Sequence, residues 1–129
     1  MLGFLDEREA LSKEIPNIRK ILEIKDIFDD VVIVMGSYAK NKQAKSSDID
    51  LVVLTKENAV KKQRLLDNFT ALFMPRFHVI ALTYDDFFKM LLDKEENYGK
   101  EVFKANLLFR NARKYYQLVK EAREHGFRG

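Results

Sequence analysis

The chain predicts an α+β domain, close to α/β type, in which a small mixed β-sheet is backed by helices. Three observations point there. Two short apolar runs of β character, residues 31–35 and 51–54, are joined by a polar loop without a crossover helix. Apolar residues recur at helical spacing before and after this pair. A third apolar run, residues 76–82, follows one of those helical segments. An all-parallel doubly wound sheet is excluded, because its first two strands would need a helix between them. At 129 residues the chain reads as one domain, 1–129, long enough to bury a core.

The elements follow in order. Residues 6–28 place Leu11, Ile15, Ile18, Ile21, Leu22, Ile24, Ile27 and Phe28 on a helical stripe. Pro16 interrupts it, so a break or a new helix start is expected there. Residues 31–35 are continuously apolar, as in a strand covered on both faces. Residues 51–54 form the second strand. Residues 57–73 return to helical spacing through Val60, Leu65, Leu66, Phe69 and Leu72, and Pro75 closes that helix.

Residues 76–82 give the third strand. Residues 84–92 form a helix packed by Phe87, Phe88, Leu91 and Leu92, with Thr83 as N-cap and Asp86 at the third helical position. Asp85 and Asp86 have the residue type of metal ligands, but acidic residues belong in a first helical turn and capping is the better reading. A short helix over 97–105, a short edge strand over 106–109 and a closing helix over 112–124 complete the order, with Gly126 as C-cap. Phe103, Leu107, Leu108, Phe109, Tyr115 and Tyr116 either finish the core or form an apolar patch for a partner or a second copy.

Composition narrows the function. Apolar residues make up 47% of the chain, with ten Phe and five Tyr, which excludes general disorder. No apolar run is long enough to span a membrane and the first residues lack a signal-peptide pattern, so a soluble, cytoplasmic protein is expected. With no Cys, thiolate metal sites and cysteine nucleophiles are excluded. The net charge is +3, with Lys40, Lys42 and Lys45 before Asp48 and Lys56, Lys61, Lys62 and Arg64 after Asp50. Such a rim would attract a polyanion, although ordinary solvated surface explains most of these residues. Basic and aromatic residues are not interleaved on any one element, which argues against direct nucleic-acid binding.

The chemistry concentrates between the first two strands. Gly36-Ser37 forms a turn in which backbone N–H groups and a hydroxyl can approach phosphate oxygens. Asp48 and Asp50 alternate around Ile49, so their side chains can leave one face while Ile49 enters the core. Two hard oxygen donors suit Mg²⁺, which completes its shell with water and substrate phosphate.

At these residues the chain resembles the minimal nucleotidyltransferases of the DNA polymerase beta superfamily, whose signature is Gly-Ser, a loop, then Asp-x-Asp opening the next strand. Gly36 and Asp48 are twelve positions apart, Ser47 precedes the first aspartate, and Asp48-Ile-Asp50-Leu is the family's usual wording. The resemblance implies a nucleotidyltransferase-like fold and transfer of a nucleoside monophosphate, AMP from ATP or another NTP, to a hydroxyl of a protein or small molecule. It assigns metal to Asp48 and Asp50, with Mg²⁺ or Mn²⁺ as the cation. It assigns nucleotide phosphates to Gly36, Ser37, Lys40 and Ser47. It also implies a setting, as antitoxin to a HEPN-domain partner.

One position departs from the pattern. Active members carry a third carboxylate on the strand matching residues 76–82, and His78 stands there. Imidazole can accept a proton from an acceptor hydroxyl or ligate Mn²⁺ or Zn²⁺, but it brings no negative charge to a Mg²⁺ site. A lone His in an apolar strand is also an ordinary hydrogen-bonded residue. A second reading therefore stands beside the enzyme: a catalytically weakened module that binds nucleotide or masks a partner.

Overall fold

The fold is seen in a computed structural model that describes residues 15–35, 48–104 and 106–129. The expected helical residues 6–14 and the site residues Gly36, Ser37, Lys40 and Ser47 lie outside the described residues. The described elements are α1 (Ile18–Leu22), a 3-10 turn (Lys25–Ile27), β1 (Val31–Met35), β2 (Ile49–Thr55), α2 (Ala59–Thr70), β3 (Phe77–Thr83), α3 (Tyr84–Leu92), α4 (Tyr98–Lys104), β4 (Asn106–Arg110) and α5 (Ala112–Glu124). The sheet order is β3-β2-β1-β4. β1 pairs antiparallel with both β2 and β4, and β2 pairs parallel with β3. The mixed sheet backed by helices matches the expected fold class.

Strand alternation divides the core in two. Val32, Val34, Ile49, Leu51 and Val53 meet Ile18, Ile21, Ile27 and Leu66 on the α1–α2 face. Val31, Ile33, Val52 and Leu54 meet Phe87, Leu91, Val102, Tyr115, Leu118 and Val119 on the α3–α5 face. Every residue of β1 is buried, as its uninterrupted apolar run requires. Phe103, Leu107, Leu108, Phe109 and Tyr115 are also buried and Tyr116 is half-buried, so among the described residues the core reading of that group holds. Large exposed apolar groups lie elsewhere, chiefly at Leu72, Met74 and Val60. No helix among the described residues is long and apolar enough to cross a membrane.

Helix ends follow local chemistry. The expected first helix is shorter than its stripe: α1 starts after Pro16, and the chain tightens into the 3-10 turn instead of continuing to residue 28. α1, α2 and α5 each begin after an asparagine at positive φ, namely Asn17, Asn58 and Asn111, a residue type that tolerates this conformation. Thr83 caps α3 as expected, its hydroxyl accepting from the Asp86 N–H at 3.0 Å. Gly126, at φ 110, lets the Phe127 N–H return to the Ala122 carbonyl at 2.9 Å and closes α5.

Two side chains secure the sheet from α2. β3 is an edge strand, and Gln63 covers its outer side: Nε2 donates to the Val79 carbonyl and Oε1 accepts from the Ala81 N–H, both at 2.7 Å. These bonds occupy groups that an incoming strand would otherwise use. Lys62 reaches beneath the sheet to Asp30 and Thr55, each at 2.8 Å. Lys62 is therefore a structural cation at the end of the sheet away from Asp50, a correction to its expected place in a basic rim, whereas Lys56, Lys61 and Arg64 are exposed.

Candidate active site

Asp50 is the second residue of β2 and the one position in that strand that is not fully buried. Its neighbours Ile49 and Leu51 enter the α1–α2 core, so alternation turns Asp50 to the α3–α5 face. Across the sheet its register partners are His78 on β3 and Met35 on β1, and Met35 in turn pairs with Asn106 on β4. A row of His78, Asp50, Met35 and Asn106 therefore crosses all four strands at the end where β1 leads toward Gly36.

In a parallel pair, register partners share a face. His78 Nδ1 accordingly lies 3.3 Å from Asp50 Oδ1, with the His78 side chain 64% exposed and that of Asp50 33%. The imidazole thus has one nitrogen at the carboxylate and room in solvent for the other. Asp48 precedes β2 and is exposed. It borders an open depression of about 250 Å³ with Asp67, Thr70, Arg76 and His78. His78 is common to both relations: it touches Asp50 and lines the hollow that Asp48 lines.

Among the described residues no group of three or more His, Asp or Glu gathers to hold a metal. The protein donors available here are two carboxylates, which is the usual protein share for Mg²⁺ when water and phosphate oxygens fill the other positions. The donor chemistry therefore fits a hard divalent cation. Asp85 sits in the first turn of α3 and forms an ion pair with Lys89 at 2.9 Å, as the capping interpretation of that acidic pair expects.

Sequence reasoning passed over two residues near this row. Arg76 opens the approach to β3, its carbonyl accepting from the Ile49 N–H at 2.8 Å while its side chain borders the depression. Tyr98 opens α4 on the Asp50 face of the sheet. Burial pushes its phenol up to about 12, and the charges of Asp50 and then Glu101 act in the same direction. No sequence spacing ties Tyr98 to Asp50, because α4 is brought to that side of the sheet by its packing on α3. Arg76 was visible only as the first residue of an expected strand.

α4 is placed by specific contacts. Asn97 Oδ1 accepts from the Lys100 N–H at 3.0 Å, capping the helix, while its Nδ2 donates to the Met90 carbonyl of α3 at 2.7 Å. Gly99 packs so closely on α3 that an added Cβ would stand 2.6 Å from Met90 Cβ. Together these contacts fix the height of Tyr98 above the sheet.

A protein-family model described as a nucleotidyltransferase domain matches residues 15–109. No curated protein and no solved structure matches the chain.

Proposed function

The chain belongs to the nucleotidyltransferase domain family, and from that premise we propose that it is a metal-dependent transferase that moves AMP from ATP to a hydroxyl of a protein or small-molecule acceptor. The observation that carries this reading is the in-register meeting of Asp50 and His78 beside the depression that Asp48 lines. A divalent cation held by Asp48 and Asp50 would polarise phosphate oxygens and neutralise their charge. Gly36, Ser37, Lys40 and Ser47 are assigned to the phosphates by the motif.

In the reaction the acceptor oxygen forms a bond to the α-phosphorus, the bond to the bridging oxygen breaks, and pyrophosphate leaves. The acceptor's proton needs a destination. With Nδ1 turned to the Asp50 carboxylate, His78 would hold its proton on Nδ1 and offer the Nε2 lone pair. Asp50 thereby orients the imidazole and His78 supplies a base where the family pattern has a third carboxylate. Positioning and charge neutralisation carry most of such a reaction. The proposed setting is cytoplasmic, with a HEPN-domain partner as acceptor and this chain as its antitoxin.

The exposed imidazole in place of a carboxylate favours a second reading, in which the domain binds nucleotide or masks its partner without turnover. Incubation of the purified protein and its co-purifying partner with Mg²⁺ and ATP radiolabelled at the α-phosphate separates the two. The enzyme leaves covalent label on the acceptor, and Asp50→Asn abolishes it. Retained nucleotide binding without covalent label identifies the binding module.

A further inference from the structure

The Tyr98 hydroxyl is buried, and among the described residues it has no hydrogen-bond partner. A desolvated O–H without an acceptor costs free energy comparable to a lost hydrogen bond, so such a group in a packed position calls for a physical reason. Its ring packs on the α3–α5 side of the sheet, the side to which Asp50 is turned. Asp50 is also the leading charge acting on it. Asp50 has His78 at Oδ1 from the β3 side, and no hydrogen bond to Oδ2 is found among the described residues.

We propose that Tyr98 is a positioning residue for Asp50, its hydroxyl donating to the carboxylate from the α4 side when Asp50 binds a divalent cation, while His78 steadies the same carboxylate from β3. A ligating carboxylate held by outer hydrogen bonds keeps its orientation, and loss of such a partner typically weakens metal affinity 10–100-fold. The inference rests on Asp50 being a cation ligand, as in the function proposed above. Asn97 and Gly99 serve the same end, because they set the position of α4 that carries the hydroxyl.

Calorimetric titration with Mn²⁺ of the full chain and of Tyr98→Phe, Asp50→Asn and Glu101→Gln tests this. Tyr98→Phe should weaken Mn²⁺ binding about tenfold. Its melting temperature without metal should be unchanged or higher, because the substitution deletes an unpartnered polar atom and keeps the ring. Glu101→Gln should leave the affinity unaltered. Full Mn²⁺ affinity in Tyr98→Phe, with binding lost in Asp50→Asn, would overturn the role of Tyr98 and leave the cation reading intact. Full affinity in Asp50→Asn would overturn both.

If Tyr98→Phe does not fold, wild-type protein carrying 3-fluorotyrosine gives the answer. The Tyr98 fluorine resonance, assigned by replacing the other tyrosines singly, should move on Mg²⁺ addition. A stationary resonance overturns the proposal.

Discussion

Lys62 Nζ lies 2.8 Å from Asp30 Oδ2, joining α2 to the residue that leads into β1. Both side chains are largely withdrawn from water, at 19% and 5% exposure. Lys62→Met would leave Asp30 charged, buried and without its cation, and the expected cost is about 3 kcal/mol. Asp30→Leu combined with Lys62→Met should recover much of that loss, since replacing both partners of a buried pair with apolar groups is often neutral. Urea denaturation of the single and double variants provides the measurement.

Gln63 acts on the edge strand. Gln63→Ala removes the partners of the Val79 carbonyl and the Ala81 N–H and is expected to cost about 2 kcal/mol. Gln63→Glu separates the two bonds, keeping an acceptor for Ala81 and removing the donor to Val79. Its loss should fall between wild type and the alanine variant, and light scattering should show Gln63→Ala to be the most prone to self-association.

Thr83 ends β3 and caps α3. Thr83→Ala is expected to destabilise by about 1 kcal/mol, and Thr83→Ser should restore most of it because the hydroxyl still reaches the Asp86 N–H. Thermal melts of the three proteins make the comparison. An alanine variant as stable as wild type would show that the bond contributes nothing.

Alkaline pH should weaken the fold through its tyrosines. Burial raises Tyr98 from the ordinary 10.0 to about 12, and raises Tyr84 and Tyr115 as well. A raised acid is protonated in the native state while its unfolded counterpart ionises, so the unfolded chain binds fewer protons above pH 10 and stability falls as pH rises. For Tyr98 this contribution is complete below about pH 10 and gone above about pH 12. Melting temperatures across that window should decline less steeply in Tyr98→Phe than in wild type.

How much could be read from residues alone depended on whether the cause was local. The apolar run of β1, the Thr83 cap and the Gly126 helix end each arise within a few residues, and each stands where the pattern placed it. The closeness of His78 to Asp50 was also legible, because alternation in two adjacent strands constrains which side chains can meet. Lys62 was not: a lysine at helical spacing reads as surface, and only the three-dimensional return of Asp30 and Thr55 makes it structural. Leu72 resembled helix core by its spacing, yet α2 stops at Thr70 and leaves it 94% exposed. Tyr98 gains its relation to Asp50 from the packing of α4 on α3, which no local pattern encodes.

β2 is an inner strand, laddered on one flank to β1 and on the other to β3. The main chain beneath Asp50 is consequently braced from both sides before any charged ligand arrives. When a polyanion and its counter-cation settle at the carboxylate, little of their attraction is dissipated in reshaping the peptide scaffold, and the field they meet is already aligned.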